Sequence, residues 1–490
     1  MRYLLLFIVT LAPLYSNAQL LQEVVQSKIQ LPALQGAWWG GFSSYADTPS
    51  EEVFSIRADT RLTPASTLKL LTTAAALHLL GPHHRFETKL YASALPDAQG
   101  ILTGDLIIRG GGDMTLGSNR VTGSQSYEAV LKQWVSAIKK AGIKKIEGTI
   151  YADVSLFEGP SIADKVNWEN MGNYFAAPAS ALSFNDNLFA IHFKGELRGE
   201  KPTEIAAIDP QIPGIAIQNF VTTDAKNKKD NAYVYGAPDQ YNLKIFGSIP
   251  TTLTGFSIKA AIPNPALFTV QALKQALIST GIPVSGTPQV LDKAPDYGLL
   301  EQLHVYNSPE LKDIIVIINK RSFNLYADML LRHLALAQGQ TGSIQNGLKA
   351  LRQFLLENKI AGATDTMIYD GSGLSRDNMI TPRALTNTLN FMAASPYFEY
   401  YYKSLATPDD RGDLLILRRF LKPKHQVEDV RIKGGTIDGV KAVAGYVHDK
   451  DGRLISFAIM ANNLVSRDEN LWRAHEDIIK ELLNLKSSSH

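Results

Sequence analysis

Leu62-Thr63-Pro64-Ala65-Ser66-Thr67-Leu68-Lys69-Leu70-Leu71-Thr72 is the stretch from which the fold can be read. Thr63 suits a helix N-cap, and Pro64 suits the first helical position, where a missing N–H costs nothing. The helix predicted from there runs through the alanines at 74–76 and stops at Gly81-Pro82. Few polar groups interrupt it, so it belongs at the buried centre of a domain. Ser66 and Lys69 stand three residues apart, on one helical face, about 5–6 Å between Cβ atoms. A serine hydroxyl is a poor nucleophile until a base takes its proton. Lysine can be that base where burial or nearby positive charge lowers its proton affinity. Partial positive charge at a helix start also favours a developing oxyanion.

Outward from this segment the texture changes twice. Two strand-like runs precede it, at residues 36–42 and 52–56. From about residue 86 to 300 short β-like runs alternate with Gly, Pro, Asn and Asp turns, with one helix expected from Tyr127 to Gly142. Past Leu303 long helices return, over 325–337, 342–357 and 382–394. Two further strands, 440–448 and 454–461, are joined by Asp449-Lys450-Asp451-Gly452, a hairpin turn. The expected class is α/β and multidomain: one domain built from both ends of the chain, with a large strand-rich insertion. The boundaries fall at 1–18 (a leader), 19–85, 86–300 (with a nested unit near 190–260) and 301–490.

The leader is read from Arg2, an apolar run from Leu4 to Leu14, and the small-residue site Ser16-Asn17-Ala18. The run is too short for a permanent membrane anchor. Cleavage after Ala18 and a life outside the cytoplasm, in the periplasm or secreted, are expected. No cysteine is present, which excludes a disulfide framework and a thiol nucleophile. A formal net charge of +2 over 490 residues offers no basic field for nucleic acid.

Two later motifs join Ser66 and Lys69. Ser322-Phe323-Asn324 opens the helix at 325–337, where a hydroxyl could relay protons and an amide could bind a carbonyl. Its bland reading is a serine helix cap. Lys433-Gly434-Gly435-Thr436 precedes a strand, and small residues such as Gly435 let a substrate backbone lie against a sheet edge. Lys433 and Thr436 could hold a carboxylate; the bland reading is a turn near a surface lysine. Two of the three patterns have a control in the chain: Ser136 with Lys139 on an amphipathic helix, and Ser183-Phe184-Asn185 in the strand-rich middle. No Gly-x-Ser-x-Gly elbow occurs, and His475-Glu476 lacks the second histidine of a zinc-protease helix.

In this order the three motifs resemble the set of penicillin-binding proteins and serine β-lactamases. The segment 62–72, Arg109-Gly110-Gly111-Gly112-Asp113, Asp370-Gly371-Ser372-Gly373-Leu374-Ser375-Arg376 and Ala444-Gly445-Tyr446-Val447 narrow the likeness. The chain resembles the D-alanyl-D-alanine carboxypeptidase/endopeptidase family, peptidase family S13. The resemblance implies a split transpeptidase/β-lactamase-like domain carrying the insertion. It implies Ser66 as nucleophile, Lys69 as base, and Ser322, Asn324 and Lys433 completing the network. Thr436 would bind the terminal carboxylate, and the N–H groups of Ser66 and Thr436 would form the oxyanion hole. Ser372, Arg376 and Trp168 are expected beside the substrate. The implied partners are peptidoglycan stem peptides, with β-lactams as inhibitors, and no cofactor or metal. Gly434 departs from the family's usual threonine, and Asp410-Arg411-Gly412-Asp413-Leu414 from its usual Gly-Thr-Leu. Two other readings stay open: a β-lactamase-like hydrolase, and a non-catalytic cell-wall binding protein of the same fold.

Overall fold

The computed structural model describes residues 17–29, 36–291, 293–410, 430–465 and 469–486. The expected leader lies almost wholly outside these residues, as do positions 411–414. Helix α1 (Asn17–Ile29) and strands β1 (Trp38–Tyr45) and β2 (Glu52–Ile56) lead to α2 (Lys69–Leu80). The middle holds β3 (Glu87–Ala92), β4 (Ile101–Leu102), β5 (Leu106–Arg109), α3 (Tyr127–Lys140), β6 (Lys145–Ile146) and β7 (Ile150–Asp153). It continues with β8 (Leu188–Phe193), β9 (Ile205–Asp209), β10 (Ala216–Asp224), β11 (Tyr233–Tyr235), β12 (Asn242–Pro250) and β13 (Phe256–Ala261). Helix α4 (Pro265–Ser279), β14 (Gln289–Leu291) and β15 (Glu301–Asn307) complete it. Then follow α5 (Leu311–Lys320), α6 (Asn324–Ala337), α7 (Ile344–Glu357), α8 (Pro382–Ala393) and α9 (Phe398–Ser404). Strands β16 (Val430–Ile437), β17 (Val440–His448) and β18 (Leu454–Asn462) and helix α10 (Glu469–Asn484) close the chain.

Both ends of the chain meet in one sheet. Its order is β16-β17-β18-β1-β2 and every neighbouring pair is antiparallel. Strands β17 and β18 are apolar almost without alternation because both faces are covered. Ala442, Ala444, Tyr446, Ala458 and Met460 face the core shared with α2, α6, α7 and α8. Val443, Val447, Ile455, Phe457 and Ile459 face the opposite core, where Leu21 and Val25 of α1 meet Ile478, Ile479 and Leu482 of α10. The turn at 449–453 closes as expected: Asp449 Oδ1 accepts from the N–H of Asp451 (2.9 Å) and of Arg453 (2.8 Å). Helix α2 is buried from Lys69 to Leu77.

A second five-stranded sheet, β14-β7-β5-β3-β15, mixes parallel and antiparallel pairs and carries α3 and α4 on a core of its own. Two three-stranded sheets, β10-β12-β11 and β13-β8-β9, lie within the same stretch of chain. Two expectations need correction. The middle of the chain has a second helix, α4, whose Asn264 side chain caps Leu267 N–H at 2.9 Å with Pro265 in the first turn. That Asn-Pro start is an ordinary helix signal that the surrounding turn residues masked. Thr63 is also not an N-cap. Its hydroxyl donates instead to Arg376 O (3.1 Å), and the chain makes a 3-10 turn over Ala65–Leu68 before α2 begins.

Candidate active site

The turn that carries Ser66 is held by its surroundings more than by its own sequence. Ala65 has φ +46°, a left-handed value that a non-glycine residue adopts at a cost. Two glycines lie hard against the turn. A Cβ on Gly373 would fall 1.9 Å from Ala65 O, and one on Gly435 would fall 2.7 Å from Pro64 O and 3.0 Å from Ser66 N. Asn462 closes the base, accepting from Thr63 N–H (2.7 Å) and donating to Thr63 O (3.1 Å). Ser66 is thereby clamped between the 370–376 loop and strand β16.

Lys69 is completely buried, one turn on from Ser66. Its Nζ lies 3.0 Å from Ser66 Oγ, 2.7 Å from Asn324 Oδ1 and 2.6 Å from Ser372 O. The two carbonyl oxygens can only accept. An uncharged amine has two N–H donors and one lone pair, so donating to both carbonyls leaves its lone pair for the Ser66 hydroxyl. That is the disposition a general base requires.

The Ser322 hydroxyl does not cap α6. Phe323 occupies the cap position without a side-chain bond, and Ser322 itself has φ +57°. Its Oγ accepts from buried Lys433 Nζ at 2.9 Å, and Lys433 also donates to Gly434 O at 2.6 Å. Asn324 is oriented at both ends, its Nδ2 donating to Phe175 O (2.8 Å) while Oδ1 accepts from Lys69 Nζ. Strand β16 is an edge strand, yet Ile432 exchanges both backbone hydrogen bonds with Ala406 on the outer side. Alternation along the strand then turns the N–H and C=O of Gly434 and Thr436 outward as well. Thr436 is exposed there, with its hydroxyl accepting from Lys441 Nζ. Gly434 pairs in register with Val443, so its departure from threonine leaves the strand intact.

Ser66, Ser322, Asn324 and Thr436 line one cleft with a water-sized free volume of about 460 Å³. Its walls add Arg321, Phe323, Gly373, Leu374, Arg376 and Asp438, together with Asn167, Glu169, Asn170, Tyr174, Phe175 and Tyr233. Arg376 reaches this lining. Ser372 does not: its side chain is fully buried, and its contribution is the carbonyl held by Lys69. Trp168 also departs from expectation. Its neighbours line the cleft, but its indole is turned onto Tyr235, ring centroids 5.1 Å apart, and stays largely exposed. Both decoy motifs are structural. Ser136 and Lys139 are exposed on α3, while Ser183 Oγ donates to Ser180 O (2.9 Å).

Behind Lys69 sits a pair of carboxyls, one opening the 370–376 segment and the other outside every quoted motif. Asp370 accepts from the N–H of Gly373 (2.7 Å) and of Ser375 (2.6 Å) and so shapes the loop that presents Ser372 O. Asp328, one turn after Asn324 on α6, accepts from Gly371 N–H at 2.9 Å. Burial raises both carboxyls above the usual carboxylate range, the neighbouring Asp370 raises Asp328 further, and Lys69 opposes both shifts whenever it carries a proton. The helical spacing from Asn324 was a readable signal for Asp328. For Phe175, which arrives from 149 residues away, the sequence held none.

The sequence profile of the D-Ala-D-Ala carboxypeptidase 3 (S13) family matches residues 21–484. A D-alanyl-D-alanine carboxypeptidase of Actinomadura sp. is 27% identical over 457 residues, covering 90% of this chain and 81% of the relative. The D-alanyl-D-alanine carboxypeptidase DacB of Haemophilus influenzae is 26% identical over 432 residues, covering 87% and 86%. The crystal structure of H. influenzae penicillin binding protein 4 superposes with a TM-score of 0.80 at 23% identity, covering 94% of this chain and 99% of that one. This last likeness is one of fold.

Proposed function

The chain belongs to the D-Ala-D-Ala carboxypeptidase 3 (S13) family, and from that premise we propose that it removes the terminal D-Ala of peptidoglycan stem peptides through an acyl-enzyme on Ser66. One observation carries the reading: Lys69 Nζ stands 3.0 Å from Ser66 Oγ with two carbonyl oxygens placed to take its N–H groups.

Ser66 Oγ attacks the penultimate D-Ala carbonyl as its proton passes to Lys69. The tetrahedral oxyanion lies between the N–H groups of Ser66 and Thr436, the second directed outward from the sheet edge. The proton on Lys69 is relayed through the Ser322 hydroxyl, held by Lys433, to the departing D-Ala nitrogen as the C–N bond breaks, which leaves the lysine amine uncharged again. Water then attacks the ester, its proton passing to Lys69 and on to Ser66 Oγ as the acyl C–O bond breaks. Thr436 and Lys433 supply the hydroxyl and positive charge for the terminal carboxylate, and Arg376 faces the peptide from the cleft wall. A β-lactam carbonyl would acylate the same oxygen.

Labelling with a fluorescent penicillin tests this directly, with wild type expected to label and Ser66→Ala to stay dark. Release of D-Ala from a soluble muramyl pentapeptide, against multiple-turnover hydrolysis of a β-lactam, separates a peptidase from a β-lactamase. An unlabelled wild type would leave the non-catalytic reading. Mass spectrometry of digested cell wall distinguishes trimming of free ends from cutting of cross-links.

The same proposal includes export to the periplasm, supported by the leader-like residues 1–18; among the described residues no helix is long and apolar enough to cross a membrane. It also includes a division into a split catalytic domain and an insertion with a nested unit near 190–260. Pairing of β15 with β3 favours ending the insertion near Asn307 rather than at 300.

A further inference from the structure

The outward face of the β10-β12-β11 sheet is aromatic where solvent-facing sheet surfaces are ordinarily polar. Its inner face is conventional: Val221, Val234, Leu243, Ile245 and Ile249 are buried in the core of the insertion. On the outer face, register places Phe220 opposite Phe246 and Phe246 opposite Tyr233, one row across all three strands. Phe220 is 53% exposed, Phe246 42% and Tyr233 37%. Tyr235 packs edge-on against Phe246 and carries the 68%-exposed Trp168 on its other side. The row begins in the catalytic cleft, since Tyr233 lines that cleft beside Asn167, Glu169 and Asn170. Asn173 fixes the junction, its amide bonding Val234 N–H (3.0 Å) and Val234 O (3.2 Å) of β11.

We propose that this aromatic row is a docking surface for the glycan strand that bears the stem peptide, a β-1,4-linked chain of N-acetylated amino sugars. The inference rests on the peptidase reading, because it is continuity with the peptide cleft that selects the occupant. A stem peptide seated at Ser66 remains bonded to its sugar, so the glycan must lie on a surface adjoining the cleft, and this row adjoins it. The dimensions fit. Three side chains across two strand spacings make an apolar strip about 10 Å long, too narrow for the broad apolar core of a stable protein interface. Rows of hydrogen-bonding side chains flank it in register, Gln218 with Lys244 on one side and Thr222 with Ser248 on the other. A pyranose chain presents that same banding, apolar ring faces bordered by hydroxyl and acetamide groups. Aromatic side chains meet such a ligand at low entropic cost, having few rotamers to lose.

The test compares wild type with the double variant Phe220→Ser, Phe246→Ser, neither of which lines the cleft, and with Phe220→Tyr as a conservative control. Three readouts are taken: D-Ala release from a soluble pentapeptide, D-Ala release from intact sacculi, and binding of peptide-free glycan strands by ultracentrifugation. The expected result is unchanged cleavage of the soluble pentapeptide by the double variant, which also reports its folding. Release from sacculi should fall about tenfold, the size of losing one strong interface contact, glycan-strand binding should disappear, and Phe220→Tyr should retain both. Equal rates on sacculi for wild type and double variant overturn the proposal. So does self-association of wild type that the double variant loses while glycan strands fail to bind, since the occupant is then a second copy of the chain. Should wild type fail on the soluble pentapeptide, the peptidase reading falls, and glycan binding alone decides the fate of the surface.

Discussion

Lys69 shows how much of the site rests on single atoms. Its neighbours Ser66 and Asn324 were legible because each sits in a short motif at helical spacing or at a helix start. Its third partner was legible only as the wrong atom, since Ser372 contributes a carbonyl, and every residue has one of those. Gly435 was read as a place for substrate to lie close, and it is also where strand β16 touches the nucleophile turn. We expect Gly435→Ala to shift Ser66 and slow penicillin acylation by about 100-fold, the order of loss that small misplacements produce. Stopped-flow acylation would measure it, and an unchanged rate would mean the turn can yield. Asp113 makes a separate prediction. Buried and accepting from Thr115 N–H and Oγ, each at 2.7 Å, its carboxyl is pushed by burial from 3.8 to about 6. Between those values the folded protein holds a proton that the unfolded chain has lost, so stability falls as pH rises through this window and levels off above it. Melting temperatures of Asp113→Asn should lack that decline; parallel pH profiles for variant and wild type would refute it.

Among the elements, α2 and α6 do most to place chemistry. The mostly apolar composition of α2 made its burial readable. It did not reveal that α2 starts after a 3-10 turn, because the left-handed Ala65 is imposed by Gly373, Gly435 and Asn462 from distant parts of the chain. Helix α6 packs between α2 and α7, and Leu330 is fully buried there. Leu330→Ala should cost about 2–5 kcal/mol of folding stability, with urea midpoints as the measure. Because α6 also carries Asn324, penicillin labelling should fall at temperatures where the fold still survives. A variant that loses stability but labels normally would separate the helix's packing from its positioning role.

At the scale of the whole molecule, the change of texture near residues 86 and 300 suggested a split domain but carried no sign of how firmly the middle is fastened. The chain leaves and returns at one pinch: Phe86 N–H donates to Ser308 Oγ and Ser308 N–H to Phe86 O, both 2.9 Å. Beyond the pinch, Met114, Val121, Ala177, Ala179, Leu188 and Ala261 enter the same core as α2 and α6. Tyr326 of α6 also donates to Asp186 at 2.8 Å. Such contacts between distant segments leave no pattern along the chain. Excising 87–307 with a short linker should therefore destroy cooperative folding instead of releasing a compact catalytic domain. Thermal melts followed by circular dichroism would decide, and a cooperative, penicillin-labelled remnant would refute it.

The bridge between Ala406 and Ile432 has a further effect on what the enzyme can grip. It occupies the outer backbone groups of Ile432, so an extended ligand can pair with the outer edge of strand β16 only beyond that point. The groove behaves as a short slot with a stop at one end, and a peptide lengthened past that stop gains no further main-chain pairing there. Discrimination among longer chains must then come from the side walls and from whatever the peptide is tethered to.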